Sequence, residues 1–142
     1  MFLVVDINVI FSAILGIGNS SNIFKLNAQK KKYEFIAPEF LYIELGKYTS
    51  EIAQRTSYTL KEAEKALIFI ERQIKFIQEN IFQDKVEEAR MILKGHEKDV
   101  PYLALALKFN CNIFSGDKIL KSIIPDRVKT PKELLKELEQ ER

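Results

Sequence analysis

Phe2-Leu-Val-Val5 is an unbroken apolar run ended by Asp6, the pattern of a strand buried on both faces. Apolar residues resume from Val9 to Leu15 and stop at Gly16 and Gly18, which predicts a short helix. Ser20 or Ser21 is placed to cap a second helix reaching about Lys30, with Ile23, Phe24 and Leu26 as its apolar positions. Tyr33 to Ala37 reads as a second strand. Pro38 suits a helix start, where its missing N–H costs nothing, and that helix is expected to run to about Gln54.

Thr59-Leu-Lys-Glu62 is a capping box, in which hydroxyl and carboxylate satisfy each other's free N–H groups. It opens a helix expected to reach about Ile74, with Phe76-Ile77 as a third strand. Asp84 to Lys94 reads as a helix closed by Gly95. Val100 to Phe109 is largely apolar with Pro101 in its first turn, a helix to be buried against a sheet. Asn112-Ile-Phe114 is the next strand, followed by Ser115-Gly-Asp117. Val128 leads into a second capping box, Thr130-Pro-Lys-Glu133, and a terminal helix rich in Lys and Glu. Strands alternating with helices, without repeat or linker, predict one α/β domain over residues 1–142. Its core is a parallel sheet of about four to five strands with helices on both faces.

Composition agrees with one ordinary core: 46% of residues are hydrophobic, with ten Phe and five Tyr. Cys111 is the only cysteine, which excludes an intrachain disulfide and fits a reducing cytoplasm. Its apolar surroundings make it a buried structural thiol rather than a reactive one. No apolar run approaches the roughly 20 residues needed to span a bilayer, and Met1 to Val5 is too short for an export signal. The expectation is a cytoplasmic protein without a membrane partner. The formal net charge of +2 says little until four of the 20 acids are gathered in one pocket. The rest of the molecule is then distinctly basic, which suits a phosphate-bearing substrate.

In parallel sheets the ligand crevice lies at the carboxyl ends of the strands. Asp6 directly follows the first strand and Asp117 lies just beyond Phe114. One such aspartate is an ordinary strand end, whereas two on the same side of one sheet favour a site. Glu44 shares a helical stripe with Leu41, Leu45 and Tyr48, which places a carboxylate where an unpaired charge is costly. Either a cation or a partner Lys or Arg relieves that cost. Asp99 precedes the apolar helix and is able to cap it, and that helix should bring Asp99 toward the same crevice. Four gathered carboxylates, without a cysteine or histidine cluster, call for Mg²⁺ or Mn²⁺ rather than zinc. The single histidine, His96, reads as a surface residue. The chemistry that fits is metal-assisted phosphodiester hydrolysis.

Val4-Val-Asp-Ile-Asn-Val-Ile10, the Glu44 helix, Lys98-Asp-Val-Pro-Tyr-Leu-Ala-Leu-Ala106 and Phe114-Ser-Gly-Asp-Lys118 resemble the four acidic motifs of PIN domains, in order and over nearly the whole chain. The resemblance implies an endoribonuclease dependent on Mg²⁺ or Mn²⁺, with Asp6, Glu44, Asp99 and Asp117 as catalytic metal-binding acids. It also implies Asn8 and Ser115 as hydrogen-bonding supports. Many such proteins are toxins of toxin–antitoxin pairs, often dimeric, so RNA, an antitoxin protein and a second copy are the expected partners. Ile7 departs from the Thr or Ser common at its position, and Ile119 from a further Asp found in some members.

Lys118, beside Asp117, is the best-placed contact for an RNA backbone. Lys30-Lys-Lys32, Lys121, Arg127 and Lys129 are further candidates. Core packing is the default account of Tyr42, Ile52, Tyr58, Leu60, Leu67, Ile68 and Phe69, and whatever exceeds what one face can bury points to a dimer or antitoxin groove. The rival readings are a catalytically inactive PIN-like module that binds RNA or protein, and a nuclease acting on structured DNA.

Overall fold

In a computed structural model, which describes residues 1–55 and 59–140, five strands form one parallel sheet. They are Phe2–Val5 (β1), Glu34–Pro38 (β2), Ile74–Ile77 (β3), Asn112–Phe114 (β4) and Val128–Lys129 (β5), in the order β3-β2-β1-β4-β5. The unbroken apolar run puts β1 at the centre, where Leu3, Val4 and Val5 are all buried. The chain winds outward from β1 through β2 to β3, then returns to β1's other side for β4 and β5. The strand order therefore reverses between β1 and β4, and there a parallel sheet opens a crevice at its carboxyl edge.

Helices Ile7–Leu15 (α1), Ser20–Lys30 (α2), Phe40–Arg55 (α3), Leu60–Glu71 (α4) and Pro131–Gln140 (α9) form one group, in which α1 packs on α2, α3 and α4, and α2 on α9. Glu79–Phe82 (α5), Val86–Leu93 (α6) and Val100–Phe109 (α7) form another, with α7 lying on β1, β2 and β4. Lys118–Ile123 (α8) links β4 to β5. No single helix among the described residues is long and apolar enough to cross a membrane. Helices α1 and α2 have the length only together, across a 96° bend, and Val9, Ile10, Ile23 and Phe24 along them belong to the core.

Both capping boxes form: Thr59 with Glu62, and Thr130 with Glu133, each through two hydrogen bonds of 3.1 or 3.2 Å. Gly16 ends α1 at φ 70°, the left-handed conformation glycine adopts without strain. Several boundaries differ from the sequence reading. Neither serine caps α2; Asn19 stands at its start without a side-chain bond, and Ser20 is buried inside the helix. Pro38 ends β2 instead of opening α3. The β1 register has already stopped at Ile36, so the missing N–H breaks no ladder there. Helix α4 stops at Glu71, and Ile74 pairs with Phe35 in the sheet. The stretch from Asp84 begins as a 3-10 turn, Gln83–Lys85, before α6, whose left-handed cap is Lys94 with Gly95 after it. Helices α5 and α8, only four and six residues long, carry too little periodicity to be read from the chain.

Phe24, Phe35 and Phe114 meet with ring centroids 5.1 to 6.3 Å apart and are almost completely buried. This aromatic cluster stiffens the end of β4 directly beneath Ser115.

Candidate active site

The β1–β4 pairing sets the first part of the site. Val5 is in register with Phe114, so the next residues, Asp6 and Ser115, emerge side by side at the carboxyl edge. Asp6 is buried, yet its carboxylate is not idle: Oδ1 accepts the Val9 N–H at 2.9 Å, which caps α1. The hydroxyl of Ser115, itself fully buried, hydrogen-bonds the same carboxyl group. Burial pushes the Asp6 pKa up to about 6; the two hydrogen bonds oppose this, and the charges of Asp99 and Asp117 add to it.

Asp117 is held by two turns of geometry. Its N–H donates to Ser115 Oγ at 3.1 Å, and its Oδ1 accepts the N–H groups of Ile119 and Leu120 at the start of α8. Both amides use Oδ1, leaving Oδ2 free for another partner. Asp99 arrives on α7, which runs antiparallel to the strands and so begins at their carboxyl edge. Its side chain makes no capping bond, so the structural role open to it in the sequence is not the one it plays. Half-buried, it has a raised pKa, first through burial and then through Asp117, with Lys98 and His96 opposing.

Glu44 is the least converged of the four. Leu41 and Leu45 of its stripe are buried, but Tyr48 is 40% exposed and Glu44 lies at the boundary between them. Among the described residues no lysine or arginine pairs with it. Its link to the aspartates is Tyr102, a residue the sequence reading passed over. Tyr102 is buried one turn beyond Asp99, hydrogen-bonds the Ile7 backbone, and its ring meets Phe40 edge-on at 6.2 Å. Its hydroxyl pKa is raised by burial first, and then by Asp6, Glu44 and Asp99, so all three carboxylates lie within electrostatic reach. The i, i+3 spacing from Asp99 was the available signal.

The donor chemistry, all carboxylate oxygen with one desolvated member, fits a hard divalent cation. As the side chains stand, no group of three or more His, Cys, Asp or Glu among the described residues is close enough to hold one. Asn8 is exposed on α1 and joins none of the acids by a side-chain hydrogen bond.

Most of the candidate lysines are committed elsewhere. Lys121 donates to Val128 O at 2.7 Å and Pro125 O at 3.1 Å and pairs with Glu133; Lys129 pairs with Glu137; Arg127 donates to Cys111 O. Lys30 to Lys32 precede β2 and so sit at the amino edge of the sheet, away from the aspartates, with Lys32 on Glu137. Of these candidates Lys118 is the one exposed beside the aspartates. Of the apolar surface expected on α3 and α4, Ile52 and Leu67 are core, Tyr42, Leu60, Ile68 and Phe69 are exposed, and Tyr58 lies outside the described residues.

A five-stranded parallel sheet in the order β3-β2-β1-β4-β5, with Asp6 and Asp117 at its switch point, is the architecture of a PIN domain. The model of that family matches residues 4–139, and the chain belongs to it. Among solved structures the chain is similar to one in the crystal structure of VapBC2 from Rickettsia felis bound to a DNA fragment from their promoter. The identity is 17% and the TM-score 0.67, over 92% of this chain and 98% of the other. No curated protein matches the chain.

Proposed function

We propose that this PIN-domain protein is an endoribonuclease that uses Mg²⁺ or Mn²⁺ to hydrolyse phosphodiester bonds of single-stranded RNA, and serves as the toxin of a cytoplasmic toxin–antitoxin pair. One observation carries the reading. Asp6, Asp99 and Asp117 act on one another electrostatically at the switch point of the sheet, and no lysine or arginine bonds to any of them among the described residues. Such repulsion is retained where a cation relieves it.

Asp6, Asp99 and Asp117 would hold the cation, with Glu44 joining from α3. When bound, it supplies charge neutralisation at the scissile phosphate and activation of water. The protein's part is orientation. Ser115 and the Val9 amide fix Asp6, the first amides of α8 fix Asp117, and neither anchor needs a second protein ligand to hold it in place. Family membership and the likeness to a chain of a VapBC2 structure support the toxin role. The exposed apolar residues of α3 and α4 support an antitoxin or a second copy as partner.

The test is Mn²⁺-dependent cleavage of single-stranded RNA by the wild type and by Asp6→Asn and Asp117→Asn. Loss of cleavage in both, with circular dichroism unchanged, supports the reading; undiminished cleavage by both sinks it. The open arrangement of the acids favours one rival, a catalytically inactive PIN-like module that binds RNA or protein. Calorimetry separates the two: RNA affinity without Mn²⁺ binding at the aspartates belongs to the rival.

A further inference from the structure

Beside the aspartates lies a cavity of about 380 Å³ that the hydrolytic reading leaves unused. Pro38 at the end of β2 and Val100 and Pro101, directly after Asp99, line it, so the cavity opens at the same carboxyl edge of the sheet as the aspartates, although none of the four acids lines it. Its floor is apolar, built by Phe82, Val86 and the ring of Phe40, which is 41% exposed although it opens α3 next to the core. Its polar rim is net anionic, with three carboxylates, Glu39, Glu79 and Glu97, against one guanidinium, Arg90. Arg90 is held by Glu97 at 2.9 Å and by Glu87, whereas Glu39 and Glu79 are exposed and have no side-chain partner among the described residues.

These features select an occupant. An anionic rim repels phosphate, so the sugar–phosphate chain stays outside. An exposed aromatic ring over an apolar floor takes a planar, uncharged group by stacking. Carboxylates accept hydrogen bonds and donate none, so they select a base edge that carries donors. Guanine presents two adjacent donors, the ring N–H and the amino group. Adenine and cytosine present an amino group, and uracil a single N–H between two carbonyl oxygens that a carboxylate repels.

We infer that the cavity between Phe40 and the Glu39–Glu79 rim is a subsite for one unpaired nucleobase of the RNA substrate, guanine above the others, next to the phosphate held at the aspartates. This rests on the ribonuclease reading. The geometry gives it two separable parts: Phe40 supplies affinity for any base, and the two glutamates supply the choice among bases.

The experiment uses fluorescence anisotropy with non-cleavable 2′-O-methyl oligonucleotides, oligo(U) and oligo(U) carrying one guanine. The wild type should bind the guanine-bearing strand about tenfold more tightly, the discrimination expected of a good two-bond base contact. Phe40→Ala should weaken both strands about tenfold, as loss of one base–aromatic stack does. The double variant Glu39→Gln, Glu79→Gln should keep the oligo(U) affinity and lose the guanine preference. All three positions are exposed, and circular dichroism checks that the variants fold. Absence of a guanine preference in the wild type, or its persistence in the double variant, overturns the inference. So does a Phe40→Ala protein with unchanged RNA affinity and an altered molecular mass by light scattering, which gives the cavity to a protein partner. A wild type that neither binds nor cleaves RNA in Mn²⁺ overturns the ribonuclease reading and this inference together; cleavage indifferent to the cavity overturns this one alone.

Discussion

The Asp117 N–H donates to Ser115 Oγ at 3.1 Å, and the same buried hydroxyl hydrogen-bonds the Asp6 carboxyl group. One hydroxyl thus spans the two aspartates at the switch point of the sheet. Ser115→Ala removes both contacts and leaves the Asp117 N–H without its acceptor. Urea unfolding should register a loss of about 1–2 kcal/mol, the usual cost of such a bond in a buried setting. In the metal-free protein the Asp6 pKa, already about 6, should move further up, because the lost bond favoured the ionised form. Carbon-detected NMR of the carboxyl group reads this directly, and an unmoved titration would remove Ser115 from the site.

Asp6 also makes the metal-free protein sensitive to pH in a particular direction. Its carboxyl group titrates near 3.8 in an ordinary setting and at about 6 here, so the folded state binds the proton more tightly. Stability is then highest with the group protonated and falls as pH rises from about 4 through about 6. Asp6→Asn removes the penalty and can still accept the Val9 N–H. The variant should be more stable than the wild type at pH 7 by about 1–3 kcal/mol and equally stable near pH 4, by thermal unfolding in chelator. A loss of stability at pH 7 would mean that the carboxylate is favourably held even without a cation.

Lys118 and Lys121, three residues apart, should behave oppositely. Lys118 is exposed beside Asp117, whereas Lys121 closes the turn into β5 through Pro125 O, Val128 O and Glu133. Lys118→Ala should weaken RNA binding and reduce the slope of log affinity against log salt by about 0.7, one phosphate contact on a single strand. Lys121→Ala should leave that slope unchanged and lower stability by about 1 kcal/mol. Salt titrations of both variants check the contrast.

Far from the aspartates, Glu137 ties α9 to the amino edge of the sheet. Burial opposes its ionisation, but hydrogen bonds from Lys129, Tyr33 and Lys32 outweigh it and hold the pKa at about 2. A depressed carboxylate contributes stability above its unfolded value of about 4.5, and that contribution is lost as pH falls toward about 2. Glu137→Gln should cost about 1–2 kcal/mol at pH 7, with the gap to the wild type closing by about pH 2. A constant gap across that range would show that packing, not charge, holds α9.

The sequence by itself determined the elements whose cause is local. An apolar run bounded by Asp6 defines β1, and the Thr59–Glu62 and Thr130–Glu133 boxes start their helices because each is complete within four residues. The three aspartates could be named because each closes or adjoins such an element. What only the tertiary structure decided depends on partners distant along the chain. The Val5–Phe114 register puts Ser115 against Asp6, Tyr102 brings Glu44 within reach of the aspartates, and Glu133 and Glu137 claim lysines that the sequence alone offers to RNA. The 3.6-residue period put Glu44 on an apolar stripe, but which edge of that stripe stays half-open is fixed by what packs beside α3. Periodicity reports the face of an element, whereas register and neighbour identity arise only when the whole sheet assembles.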